Sequence, residues 1–146
     1  TSSYLPQFRF DKFQLFEEIK QHALQIFNLG VENVLITGVL SKELNYFRDN
    51  YDKTTKHNIF DLLLSKKEFS IFGKQKIESR NTHGTGCSLS SSIATNIALG
   101  EDLINSITLS QEYVYGCILS AKNINIGNGM GPINHFFSSQ LLKNIN

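Results

Sequence analysis

Apolar and polar residues follow two rhythms along the chain, and the changes between them mark three stretches. After a lead-in over residues 1–10 that contains Pro6 and has no clean period, Phe13, Phe16, Ile19, Ala23, Leu24 and Phe27 recur every three or four positions. That spacing gathers the apolar side chains on one face of a helix of about five turns. Asp11 with Gln14 resembles a capping box at its start, and Gly30 supplies its stop. Val34-Leu35-Ile36 follows as a short unbroken apolar run, the mark of a strand covered on both faces, so helix, glycine and strand read as half of a βαβ unit.

Residues 44–79 keep a shorter rhythm. Tyr46-Phe47, Ile59-Phe60, Leu62-Leu63-Leu64 and Phe69-Ser70-Ile71-Phe72 are separated by polar groups such as Ser65-Lys66-Lys67-Glu68, a pattern that predicts short strands joined by hairpins. The charged run from Arg48 to His57 predicts an exposed connection. The last third is helical again. Gly84-Thr85-Gly86 leads into a small-residue helix over Ser88–Leu99 that Gly100 stops, and a second helix from Asp102 carries Leu103, Ile107, Val114, Ile118 and Ala121 along one side. It ends before Gly127-Asn128-Gly129-Met130-Gly131-Pro132, where glycines and a proline forbid further helix.

Composition narrows the classes of function. The 146 residues carry 14 Lys+Arg against 13 Asp+Glu, a net charge of +1 with no basic run, which argues against a sequence-tolerant nucleic-acid binder. No apolar stretch approaches the roughly 20 residues of a spanning helix and no signal peptide precedes the first helix, so neither a membrane nor export is expected, and the cytoplasm is. A hydrophobic content of 40% is enough for one core, and the chain is expected to fold as a single domain over residues 1–146. Cys87 and Cys117 form no CxxC pair, which fits a reducing compartment and offers no metal-ligand pattern.

The chemistry is concentrated in Asn81-Thr82-His83-Gly84-Thr85-Gly86-Cys87-Ser88, where glycines and small hydroxylic residues stand at the turn from a loop into a helix. Such a junction binds anions, because the N–H groups of the first turn point outwards, the helix dipole adds about half a positive charge, and glycine lets a phosphate approach the backbone. GxxxxGK[ST] is absent, and no Lys or Arg lies between Gly84 and Lys122. Cys87 falls in the first helical turn, where its thiol pKa should be lowered and a thiolate could take a proton or orient a substrate hydroxyl. The alternative is a small buried residue without chemistry, and for Cys117, among Val114, Ile118 and Ala121, the core is the expected place.

The run NTHGTGCSLSSSIATNIALG, followed after the second helix by IGNGMGPINHF, resembles the C-terminal part of hydroxymethylpyrimidine/phosphomethylpyrimidine kinases of thiamine biosynthesis, members of the ribokinase-like superfamily. The resemblance extends upstream through NIFDLLLSKKEFSIF and LGVENVLITG, and so covers nearly all of the chain after about residue 10. It implies an α/β fold, the C-terminal, nucleotide-side portion of a ribokinase-like three-layer α/β/α sandwich. The implied activity is ATP-dependent phosphorylation of 4-amino-5-hydroxymethyl-2-methylpyrimidine or its monophosphate, with ATP and Mg2+ as cofactors. Gly84, Thr85 and Gly86 would form the anion hole around the transferring phosphoryl group, and Cys87 would be base or orienter for the substrate hydroxyl.

By the same resemblance Asn81 and Thr82 would shape the approach to the phosphates, and Gly127, Gly129 and Gly131 would lie near the nucleotide. An ordinary turn is the other reading of that glycine loop. His83 and His135 fit family positions with structural roles, one holding the loop and the other capping the last helical turn. His22 is expected to face solvent, His57 has no assigned role, and Asp61 reads as a surface or turn carboxylate. A pyridoxal-type kinase of the same superfamily is a further possibility, against which Cys87 favours the pyrimidine branch.

Two departures from the family pattern bear on activity. Where family members carry Lys-Gly-Gly-His after the buried strand, this chain reads Thr37-Gly38-Val39-Leu40. The chain is also about half of a complete kinase domain of about 250 residues, and its start at Thr1 rather than Met suggests a cut through a larger fold. The expected partners are ATP, the pyrimidine substrate and a complementary N-terminal half or a second copy. The alternative function is a catalytically inactive remnant or a nucleotide- or partner-binding module.

Overall fold

The computed structural model describes residues 12–40 and 59–137. The lead-in, the Asp11 cap, the Tyr46-Phe47 strand, the Arg48–His57 connection and His57 lie outside the described residues. The chain divides into two compact units, Thr1–Lys76 and Ile77–Asn146.

The first unit holds helix α1 (Lys12–Phe27) and strands β1 (Asn33–Leu40), β2 (Ile59–Ser65) and β3 (Glu68–Lys74). The apolar spacing makes α1 as expected, and it unwinds through Asn28 N–H to Leu24 O and Gly30 N–H to Phe27 O, at 2.9 and 3.0 Å. The strands form an antiparallel sheet in the order β1-β2-β3. Leu62 and Leu64, two positions apart, share one face of the central strand. Ile19 packs against Leu62, and Ala23, Val34 and Phe27 gather around Leu64. Leu63, on the opposite face, is equally buried, which explains an unbroken leucine run in a central strand. The hairpin expected at Ser65–Glu68 forms, with Ser65 facing Glu68 across it.

Two details of this sheet differ from the sequence reading. The half-βαβ pattern calls for a parallel neighbour, whereas the one partner of β1 among the described residues is antiparallel β2. The strand also does not end at Ile36. It runs on through Thr37-Gly38-Val39-Leu40, with its register broken between Ile36, opposite Leu62, and Val39, opposite Phe60. Thr37 and Gly38 therefore face the single residue Asp61, a β-bulge.

The second unit holds helices α2 (Thr85–Ala98) and α3 (Leu103–Ala121). Asp102 caps α3, its side chain accepting from Asn105 N–H at 2.9 Å. Ile107, Val114, Cys117 and Ala121 are buried along α3, as the spacing predicts for three of them, together with Ser106, Ser110 and Gln111. Asn96 on α2 donates to Ser110 Oγ at 3.0 Å. Among the described residues no buried side-chain polar atom lacks a partner, and no helix is long and apolar enough to cross a membrane.

Candidate active site

The N-terminus of α2 is built by its own small residues. Gly84 is the N-cap and has φ 90°, a left-handed conformation that costs a residue with a Cβ about 1–2 kcal/mol. Thr85 donates through both N–H and Oγ1 to Thr82 O, at 3.3 and 2.6 Å, and Ser88 does the same to Gly84 O, at 2.9 and 2.7 Å. These bonds draw the turn tight. They leave the N–H groups of Gly86 and Cys87 without an acceptor among the described residues, the arrangement that receives an oxyanion at a helix start.

Of the two cysteines, Cys87 is exposed and Cys117 fully buried. Cys87 therefore is not the small core residue that the sequence left open, and Cys117 is. The Cys87 thiol lines a cavity of about 440 Å³ with Ser88, Ser91, Ser92, Thr95, Tyr113 and His135. The Tyr113 hydroxyl lies 3.4 Å from both Nδ1 and the backbone O of His135. Burial pushes the Tyr113 phenol up, with a hydrogen bond to Cys117 adding to it, and burial also pushes the Cys117 thiol up.

A second, narrower cleft of about 190 Å³ is formed by Arg80, Asn81, Lys122 and residues 123–127 with Gly129. Gly127 and Gly129 thus line a cleft beside two cationic side chains. Arg80, which donates through Nη2 to Asn128 O at 3.0 Å, was missed in the sequence because it precedes the motif. A cation four residues before the first glycine of the loop was its one signal.

The remaining site residues have different surroundings. Asn81 is buried, with its amide turned onto two main-chain carbonyls, one at the last residue of α3 and one just past it. Thr82 is half-buried, and its hydroxyl is 4.0 Å from Met130 Sδ. His83 holds the loop through its main chain, N–H to Gly131 O and O from Ile133 N–H, both at 3.1 Å. His22 is exposed on α1, as expected. Thr37 and Gly38 belong to the first unit, where the Gly38 N–H donates to Asp61 Oδ1 at 2.9 Å. Among the described residues no group of three or more His, Cys, Asp or Glu is arranged to hold a metal.

Comparison with solved structures gives the class. An ADP complex of Bacillus subtilis pyridoxal kinase superposes with a TM-score of 0.65 at 21% identity, over 85% of this chain and 43% of that one. A Bacteroides thetaiotaomicron structure described as a phosphomethylpyrimidine kinase gives 0.61 at 16% identity, over 89% and 39%. The fold is the ribokinase-like α/β fold, of which this chain represents part.

The family follows from sequence: residues 7–134 match the model of phosphomethylpyrimidine kinase, and the chain belongs to that family. A chloroplastic thiamine biosynthetic bifunctional enzyme of Arabidopsis thaliana is 31% identical over 121 residues, 82% of this chain and 21% of that protein. The hydroxymethylpyrimidine/phosphomethylpyrimidine kinase of Helicobacter pylori is 36% identical over 107 residues, 73% of this chain and 35% of that protein. The chain thus spans well under half the length of these relatives.

Proposed function

We propose that this chain carries the phosphoryl-binding part of a phosphomethylpyrimidine kinase, acting with ATP and Mg2+ on 4-amino-5-hydroxymethyl-2-methylpyrimidine or its monophosphate. The observation that carries the reading is an exposed Cys87 thiol in the same helical turn as the unengaged N–H groups of Gly86 and Cys87. In the proposed step on the alcohol, the substrate hydroxyl gives its proton to the Cys87 thiolate, its oxygen bonds to the γ-phosphorus of ATP, and the bond to ADP breaks. Gly84, Thr85 and Gly86 shape the anion hole, Thr85 by tying the turn to Thr82 O, and the unengaged N–H groups of Gly86 and Cys87 take up charge on the transferring phosphoryl group, the main task of catalysis in this chemistry. The glycine loop with Gly127, Gly129 and Gly131 serves the nucleotide, and Arg80 and Lys122 beside it add positive charge. Mg2+ would supply charge neutralisation at the phosphates of ATP, in keeping with the few protein ligands it takes in such sites.

The pyrimidine side of the pocket is supplied by a complementary N-terminal portion, since the chain spans less than half of its relatives. Thermal shift with Mg-ATP, then ADP release with the pyrimidine alcohol in the presence and absence of that portion, tests the reading. Turnover that Cys87→Ala abolishes and Cys117→Ala spares supports it, and equal effects of the two contradict it. A second reading, an inactive nucleotide-binding remnant, is favoured by Thr37 where the family has lysine. Binding of ATP without turnover, even with the complementary portion present, selects it.

A further inference from the structure

We propose that Asn81 is a positioning residue, which holds the anion-hole loop against the C-terminal end of α3 and the segment that follows it, and so aims N–H groups it never shares with the ligand. This rests on the anion-hole reading above. The Asn81 side chain is buried, and its Nδ2 donates to two main-chain carbonyls, Ala121 O and Ile124 O, each at 2.6 Å. Both amide hydrogens are thereby used. Its Oδ1 faces Gly131 so closely that a methyl at that position would overlap Oδ1 and stand 2.8 Å from Cγ. Gly131 has no left-handed backbone, so what keeps a side chain out is Asn81 itself.

Two rungs continue the clamp past Asn81. His83 N–H donates to Gly131 O and Ile133 N–H donates to His83 O, while Asn134 N–H ties the same segment to Cys117 O on α3. On the other side, Thr82 O is the acceptor for both the N–H and the hydroxyl of Thr85. A shift of residues 81–83 is therefore passed to the peptide planes of Gly84 to Cys87. The amide is chosen for its chemistry, because a carboxylate of the same size would set its oxygens against two carbonyl oxygens and leave both unsatisfied.

The test is a double-mutant cycle on the full 146-residue chain with Asn81→Ala, Gly131→Ala and the pair, read by the 1H–15N resonances of Gly84, Gly86 and Cys87 and by titration with inorganic phosphate. Each single substitution is expected to move those resonances and weaken phosphate binding by about tenfold or more, as misplaced binding groups do. In the Asn81→Ala background Gly131→Ala is expected to add little, because the methyl takes the space of the lost amide and Cβ of residue 81 stands 3.6 Å away. Asn81→Asp, which keeps the volume, should behave like Asn81→Ala. Asn81→Ser, with one donor left, should fall between and serves if the alanine variant does not fold.

Unmoved resonances in variants that merely melt earlier would overturn the proposal. So would a Gly131→Ala effect as large in the Asn81→Ala background as in the wild type. A wild-type chain whose Gly86 and Cys87 resonances ignore phosphate would instead remove the anion-hole reading, and the cycle in the ligand-free spectra would still decide the clamp.

Discussion

The carboxylate of Asp61 accepts the N–H of Gly38, the second residue of the bulge that Asp61 itself faces across the β1–β2 ladder, at 2.9 Å. A bulge leaves a main-chain N–H without its ladder acceptor, and Asp61 supplies one from the side chain. The carboxylate that the sequence suggests is a turn or surface group thus fixes the local path of Thr37-Gly38, where the family carries its lysine. Asp61→Ala should cost about 1 kcal/mol of stability, and Asp61→Asn, which keeps an acceptor, less than half of that. Urea denaturation of the three chains checks the order.

The two cysteines should separate cleanly in reactivity. Cys87 is exposed and Cys117 is 0% accessible, so alkylation of Cys117 must wait for an opening of the second unit. Under native conditions iodoacetamide is expected to label Cys87 at least about 100-fold faster, with Cys117 catching up in denaturant. Peptide mass mapping over time measures both rates, and comparable native rates would contradict the burial of Cys117.

Burial sets the sign of the alkaline response. The Cys117 thiol and the Tyr113 phenol both have raised pKa values, with burial as the largest cause in each. An acid whose pKa is higher folded than unfolded binds its proton more tightly in the folded state. Its contribution is complete below the unfolded value, about 8.5 for a thiol, and is lost as pH rises through the folded one. Melting temperature should therefore fall above that value, and Cys117→Ala should flatten the first part of the decline. A Cys117→Ala chain with the same alkaline slope as the wild type would assign the effect elsewhere.

The β2–β3 hairpin turns on Lys66 and Lys67, both with positive φ, 50° and 66°. Tight turns of this hand favour Asn-Gly, because a side chain with a Cβ is strained there. Replacing Lys66-Lys67 with Asn-Gly should stabilise the chain by about 1 kcal/mol without altering the strand register. Chemical denaturation gives the magnitude, and unchanged cross-strand contacts in the NMR spectrum give the register.

Legibility followed the range of the forces involved. The helices were readable because their apolar spacing and glycine stops are local, and Ser65–Glu68 was readable as a hairpin because strand and turn lie side by side in the sequence. The continuation of β1 past Ile36 was not. Gly38 interrupts the strand pattern, and pairing of Val39 with Phe60 and Leu40 with Ile59 carries the strand on. At the site, the glycines, Cys87 and the motif order announced the anion-binding turn. The use of Asn81 could not be read, because its partners stand 40 and 43 positions away, and the same holds for Arg80 and Asn128 at 48.

Thr37 and Gly38 should respond in opposite ways to an added side chain. Thr37 is exposed in the bulge of β1, so a longer side chain meets no packed core. Thr37→Lys, which restores the residue that the family resemblance leads one to expect, should keep the strand register and change stability by no more than about 0.5 kcal/mol, as surface substitutions do. Gly38 has φ 79°, where a Cβ is strained, so Gly38→Ala should cost about 1–2 kcal/mol although nothing crowds the space around it. Urea denaturation of the two variants gives the order, and a Thr37→Lys chain as destabilised as Gly38→Ala would contradict the exposure of residue 37.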